Sequence, residues 1–89
     1  MSVVAALRAR VFVTDVWDTV NLDLAPDTTV AELKRRALRE ALRREPNGDD
    51  YQVKFQGALV MDERCTLQIL GARDGAPFIV LPARRVPVR

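Results

Sequence analysis

The chain predicts an α+β domain in which a mixed sheet of four to five strands, in the chain order ββαββ, packs on one amphipathic helix. Three observations carry this. Apolar and polar residues alternate with period two from Leu7 to Thr14 and again from Thr19 to Leu24, the signature of half-buried strands. A threonine-led segment of helical period follows from Thr29. Short apolar runs separated by turn residues fill the remainder. The 89 residues make a single domain, with a core over about 7–83 and a basic tail over 84–89.

The first strand sets Ala9, Val11 and Val13 on one face and Arg10, Phe12 and Thr14 on the other. The second repeats the pattern, with Val20, Leu22 and Leu24 against Thr19, Asn21 and Asp23. Asp15-Val16-Trp17-Asp18 between them is short enough for a hairpin turn. Pro26 breaks the second strand, which cannot continue through a residue without an N–H. Thr29-Val30-Ala31-Glu32 fits a capping box, the Thr29 hydroxyl accepting from the Glu32 N–H and the Glu32 carboxylate reaching back.

Behind the cap, Val30, Leu33, Ala37 and Ala41, with Leu38 or Leu42, recur at the spacing of one buried helical stripe. Arg43 and Arg44 suit the negative end of the helix dipole, and Pro46-Asn47-Gly48 is the expected stop. Tyr51, Val53 and Phe55 alternate with Gln52, Lys54 and Gln56 in a third strand closed by Gly57. Leu59-Val60-Met61 is a candidate short fourth strand. Thr66 to Leu70 reads as a turn of helix that tucks Leu67 and Leu70 inward. Asp74-Gly75 is a turn before a last strand, Phe78-Ile79-Val80-Leu81, rich in β-formers. A hairpin feeding one helix, followed by short strands, is the β-grasp arrangement, whose work is surface recognition.

Composition narrows the chemistry. Apolar residues at 48% and charged residues at 29% are those of a folded globular domain. No apolar run approaches the roughly 20 residues that span a bilayer. The leading MSVVAAL is short, lacks a charged start and reads as the lead-in to the first strand, so a cytoplasmic domain is expected. A single cysteine, Cys65, excludes an intrachain disulfide, and the chain contains no histidine. One thiol without an imidazole builds neither a thiolate–base pair nor a tetrahedral zinc site. No catalytic residue, metal ligand set or cofactor site is therefore expected, and the domain is read as a non-enzyme.

The order of elements resembles ubiquitin, and the likeness is local as well as topological. Val11-Phe12-Val13-Thr14 is similar to its opening strand, and Ala25-Pro26-Asp27-Thr28-Thr29-Val30 to its proline loop and threonine cap. Val30-Ala31-Glu32-Leu33-Lys34 resembles its helix start, and Phe55-Gln56-Gly57 the end of its third strand. Thr66-Leu67 and Phe78-Ile79-Val80-Leu81 resemble its threonine–leucine turn and final strand. Together these cover residues 9 to 83.

The resemblance implies a ubiquitin-like β-grasp superfamily member with departures that bear on function. Members that are conjugated, and the related sulfur carriers, end in Gly-Gly, whereas this sequence ends Arg84-Arg85-Val86-Pro87-Val88-Arg89. A bulky proline-containing end does not thread an activating enzyme as Gly-Gly does, so a modifier or sulfur-carrier role is disfavoured. Two of the usual linkage lysines fall on Ala58 and Asp74. Lys34 matches the helix lysine that the family ties to an acid after the third strand, and Asp62 is the expected partner here. Leu67 with Gly71-Ala72-Arg73-Asp74-Gly75 is similar to the late loop of the small bacterial YukD/EsaB type, accessory components of type VII secretion.

Two surfaces are candidates for a partner. The strand period points Val11, Val13, Val20, Leu22, Leu24, Val53, Phe55, Phe78 and Val80 at the helix. It leaves Phe12, Lys54, Ile79 and Leu81 on the outer face, with Val16 and Trp17 at the hairpin tip. The resemblance puts the family's recognition patch on that same outer face, its central isoleucine replaced by Lys54 and its apolar flanks kept at Val16 and Leu81. Trp17 either completes this patch or folds back over it. The second surface is the basic helix face, Arg35, Arg36, Arg39 and Arg43, suited to an acidic protein or nucleic-acid phosphates. Glu32–Arg36 and Glu40–Arg44 pairs at i, i+4 would offset it. The outer sheet face is the expected protein-binding site.

Overall fold

The computed structural model describes residues 6–43 and 47–83. Strand β1 (Leu7–Val13) and strand β2 (Asp18–Leu24) form an antiparallel hairpin, and helix α1 (Val30–Leu42) follows. A 3-10 turn at Gly48–Asp50 leads into β3 (Tyr51–Phe55). Then come β4 (Ala58–Leu59), the single-turn helix α2 (Leu67–Leu70) and β5 (Ala76–Pro82). The sheet order is β2-β1-β5-β3-β4, with β1 and β5 parallel at its centre and the other pairs antiparallel. Chain-distant strands therefore form the middle of the sheet.

One core fills the space between the sheet and α1. Ala9, Val11, Val13, Val53, Phe78 and Val80 from the sheet meet Val30, Leu33, Ala37 and Leu38 from the helix, and Leu67 closes one end. Phe55 and Phe78 stack at 4.8 Å between centroids, the offset geometry that aromatic quadrupoles favour. The inward set is that given by the strand period except at Leu22, which is half-buried. It points to the helix side, but β2 is the outermost strand and, among the described residues, no strand covers its far flank.

Helix α1 differs from expectation at three points. Thr29 Oγ1 accepts from the Glu32 N–H at 3.2 Å, as a cap does. The Glu32 carboxylate, however, turns along the helix to Arg35 and Arg36 instead of back to the cap, because two guanidiniums outbid one neutral N–H. The helix also ends before the Pro46-Asn47-Gly48 stop. Arg43 adopts the left-handed conformation, φ 59°, and its N–H donates to the Arg39 carbonyl, a C-terminal cap made without glycine. Pro46 and Arg44, and with it the expected Glu40–Arg44 pair, lie outside the described residues.

The third difference is Lys34, buried on the helix among apolar residues at 6% exposure. Its ammonium reaches Glu63 Oε1 at 2.6 Å and donates to the Tyr51 carbonyl at 3.0 Å. The expected partner Asp62 instead accepts from the Arg64 N–H at 3.0 Å and Nε at 3.3 Å, holding the turn before α2. Those bonds, the backbone one foremost, hold the Asp62 carboxyl below the usual carboxylate range.

The fourth strand is also shifted by one residue from Leu59-Val60-Met61. Gln56 and Gly57 both have positive φ, 53° and 84°, as a two-residue type I′ hairpin turn requires. This fixes the pairing as Phe55 with Ala58 and Lys54 with Leu59. The two helix starts are then stitched together. The Val30 and Ala31 N–H groups donate to the Cys65 and Glu63 carbonyls, and those of Leu67 and Gln68 to Thr28 and Pro26. These bonds satisfy donors that a helix start otherwise leaves open.

Candidate protein-binding face

Strand register brings the outward side chains into rows. Thr19, Phe12, Ile79, Lys54 and Leu59 lie side by side across all five strands. At the usual strand spacing, Phe12 to Leu59 spans about 14 Å. On one side of this row Arg10 pairs with Pro77, and on the other Leu81 pairs with Gln52. Ile79 is 37% exposed and Phe12, Lys54 and Leu81 are half-buried. The face is thus an apolar band interrupted by one ammonium. Shallow hollows flank it, one lined by Arg10, Phe12, Thr19, Pro77 and Ile79 and one by Thr14, Gln52, Leu81 and Pro82.

The hairpin tip adds the aromatic edge. Trp17 sits at φ 56° in the turn, its N–H donating to the Thr14 carbonyl at 3.2 Å. Its ring meets Phe12 edge-on, centroids 5.1 Å apart and planes at 72°. At 77% exposure it does not fold over the sheet. It stands beside the band and extends it, with exposed Val16 next to it at the tip. Tyr51 Oη donates to Asp15 and ties the start of β3 to the hairpin. All six outer-face residues named from the sequence, Phe12, Val16, Trp17, Lys54, Ile79 and Leu81, therefore fall on one side of the sheet or at its adjoining tip.

Leu59 and Pro77 join this surface without having been singled out. Pro77 precedes the apolar run of β5, and its partner Arg10 on β1 comes from a pairing over more than sixty residues. Leu59 was legible in principle, since the Gln56-Gly57 turn fixes its register opposite Lys54.

The basic helix face is less open than its sequence. Glu32 binds Arg35 Nη2 at 2.8 Å and Arg36 Nε at 2.9 Å. Hydrogen bonds from Arg35 first and Arg36 second hold the Glu32 carboxyl below its ordinary range. Arg39 lines a hollow with Leu22, Arg35, Arg36 and Glu40, and Arg43 is exposed at the helix end, where its backbone N–H forms the cap. Among the described residues no group of three or more His, Cys, Asp or Glu side chains is placed to hold a metal ion, and no helix is long and apolar enough to cross a membrane.

No protein-family model matches the sequence, and no curated protein matches it. Solved structures do match the fold. A ubiquitin of Caldiarchaeum subterraneum superposes with a TM-score of 0.74 at 20% identity, over 90% of this chain and 96% of that one. The ubiquitin-like domain of an Arabidopsis thaliana protein gives 0.74 at 13% identity, over 100% and 89%. A chain from the crystal structure of ATBAG1 in complex with HSP70 gives 0.70 at 16% identity, over 85% of this chain and 40% of that one. At such identities the likeness is one of architecture. The fold is the ubiquitin-like β-grasp.

Proposed function

We propose that this domain is a non-covalent protein-binding module that docks a partner on the outer face of its sheet. The observation that carries the reading is the continuous row of Phe12, Ile79, Lys54 and Leu59, extended by Leu81 and by the exposed Trp17 ring. Aromatic and aliphatic anchors around a polar centre are the residue types that dominate interface energetics. The absence of histidine and of an assignable nucleophile supports a non-catalytic role. The late-loop likeness of Leu67 and residues 71–75 to the YukD/EsaB type supports a place as a cytoplasmic accessory subunit of a larger bacterial assembly.

The test compares wild type with Leu81→Arg in pull-downs from host lysate, read by mass spectrometry under denaturing conditions. The reading expects a partner retained by wild type and lost by the variant, at unchanged thermal stability. Equal retention by both proteins refutes it. So does a covalent, mass-shifted adduct, which would make this chain a modifier.

A further inference from the structure

We infer that the chain associates with a second copy of itself through the free edge of β4, the two sheets joining about a two-fold axis at Leu59. The association is reversible. It rests on backbone pairing and apolar contact, independently of any partner on the outer face.

Sequence and exposure single out this edge. Residues 55–61, Phe-Gln-Gly-Ala-Leu-Val-Met, contain neither a charge nor a proline. Ala58 and Leu59 are exposed, Met61 is 84% exposed, and β4 is an outermost strand of the sheet. Natural edges are commonly guarded by charges or proline, and runs of exposed apolar residues are otherwise avoided. The opposite edge keeps to that rule, since β2 carries the exposed Asp18 and Asp23. The β4 edge does not.

The backbone of this edge fits a copy of itself. The Val60 N–H donates to the Val53 carbonyl at 2.9 Å. Alternation along an antiparallel pair then turns the N–H and C=O of Leu59, opposite Lys54, away from β3. When two copies lie antiparallel across Leu59, each Leu59 N–H donates to the other's carbonyl, and the open groups of both are satisfied. That register brings Met61 of each copy to Gly57 of the other. Gly57 has open space where a side chain would stand, so Met61 meets no obstruction.

Charge favours a copy of the chain over a different protein. A hollow of about 220 Å³ beside the strand is lined by Phe55, Ala58, Met61, Cys65 and Leu70, and its one acid, Asp62, is already engaged by Arg64. Lys54, the cation in register with Leu59, lies one strand inside the edge. Across the axis the two Lys54 positions are three strand spacings apart, about 14 Å. That is beyond the ~8 Å over which exposed charges act at physiological salt. Among the described residues, then, no charge at the joint repels an identical edge or selects an oppositely charged one. Reciprocal pairing about a two-fold closes at two copies. A standard interface takes roughly 20–30 residues a side. This joint engages one short strand and its flanks, so it forms weakly and only as concentration rises.

The experiment is sedimentation velocity on the full chain from micromolar to millimolar concentration, with ¹⁵N spectra of the same samples. The proposal expects a mass that rises toward two copies and stops there. It also expects concentration-dependent shifts at the Ala58, Leu59 and Met61 amides, with little change as salt is raised. Leu59→Lys sets two like charges at the axis and raises the dissociation constant about tenfold or more. Leu59→Pro removes an N–H that the fold itself does not use and has the same effect, the ¹⁵N spectra showing both variants folded. Leu81→Arg leaves association unchanged, which separates this joint from the proposed protein-binding face. A monomer at millimolar concentration, assembly past two copies, or association of Leu59→Lys equal to wild type overturns the proposal. So does a lysate protein lost by Leu59→Lys and retained by Leu81→Arg while the chain itself stays monomeric, which would give this edge to a different partner.

Discussion

Phe78 and Ile79 are neighbours in one strand, and they do opposite things. Phe78 is 1% exposed, stacked on Phe55 and enclosed by the helix. Ile79 lies on the other side of the same backbone, between Phe12 and Lys54, with over a third of its surface in water. The difference between the two faces of this sheet is one of consequence more than of composition, since both carry aliphatic and aromatic side chains. Inside, the apolar groups pack into one core with α1 and Leu67. Outside, among the described residues, no helix lies over a comparable band. The inner face holds the domain together, and the outer face is the one proposed for recognition.

Truncating each neighbour gives the largest expected contrast. Phe78→Ala removes a fully enclosed ring and leaves a cavity, at a cost of about 3–5 kcal/mol. Ile79→Ala removes a side chain that water already reaches and costs about 1 kcal/mol or less. Urea unfolding of the two variants beside wild type measures both. Equal losses would mean that Ile79 is structural and would remove the ground for a binding face there.

Ion pairs sharpen the same comparison on a smaller scale. Lys34 and Glu63 meet inside the fold, whereas Arg64 and Asp62, next along the loop, meet in water. Glu63→Ala strands a buried ammonium with only the Tyr51 carbonyl for company. Its expected cost is about 2–4 kcal/mol, the lower part of the range for breaking a buried pair, because Glu63 is itself a quarter exposed. Lys34→Met, which fills the same volume and leaves unpaired only the more exposed Glu63 carboxylate, should cost less than Glu63→Ala. Arg64→Ala should cost the least of the three. Thermal unfolding of the three variants tests the ranking, and a large loss in Lys34→Met would show the ammonium to be needed for more than its own satisfaction.

Much of this arrangement is legible in the sequence, because strand and helix periods are local. Alternation from Leu7 to Thr14 and through Phe78 to Leu81 assigns Val11 and Phe12, Phe78 and Ile79, to opposite faces. Thr29 and Thr66 announce the two helices that their hydroxyls cap. What the period does not carry is who sits beside whom. Nothing in the segment Ala76–Pro82 says that it enters the sheet between β1 and β3, so the row from Phe12 through Ile79 to Lys54 exists only once the strands are ordered. Leu22 looks like its core neighbours until β2 is seen to be an edge. The choice of Glu63 over Asp62 likewise turned on the direction of one loop, in which Asp62 is taken up by the Arg64 N–H.

Glu32 offers the finest test of inside against outside. Its carboxyl lies on the helix surface and is held below its ordinary range by hydrogen bonds from Arg35 and then Arg36. A carboxyl whose folded-state value is depressed binds fewer protons folded than unfolded, so its contribution is complete above the ordinary glutamate value. It is lost as pH falls through the lowered one. Glu32→Gln should therefore change stability by only a few tenths of a kcal/mol at neutral pH, about what exposed i, i+3 and i, i+4 pairs supply. The acid side of the stability curve should flatten, and the difference from wild type should vanish below the lowered value and shrink in high salt. Urea midpoints from pH 7 down to pH 2, at low and high salt, measure it. An effect at neutral pH as large as that of Glu63→Ala would mean that the arginine face is as structural as the core.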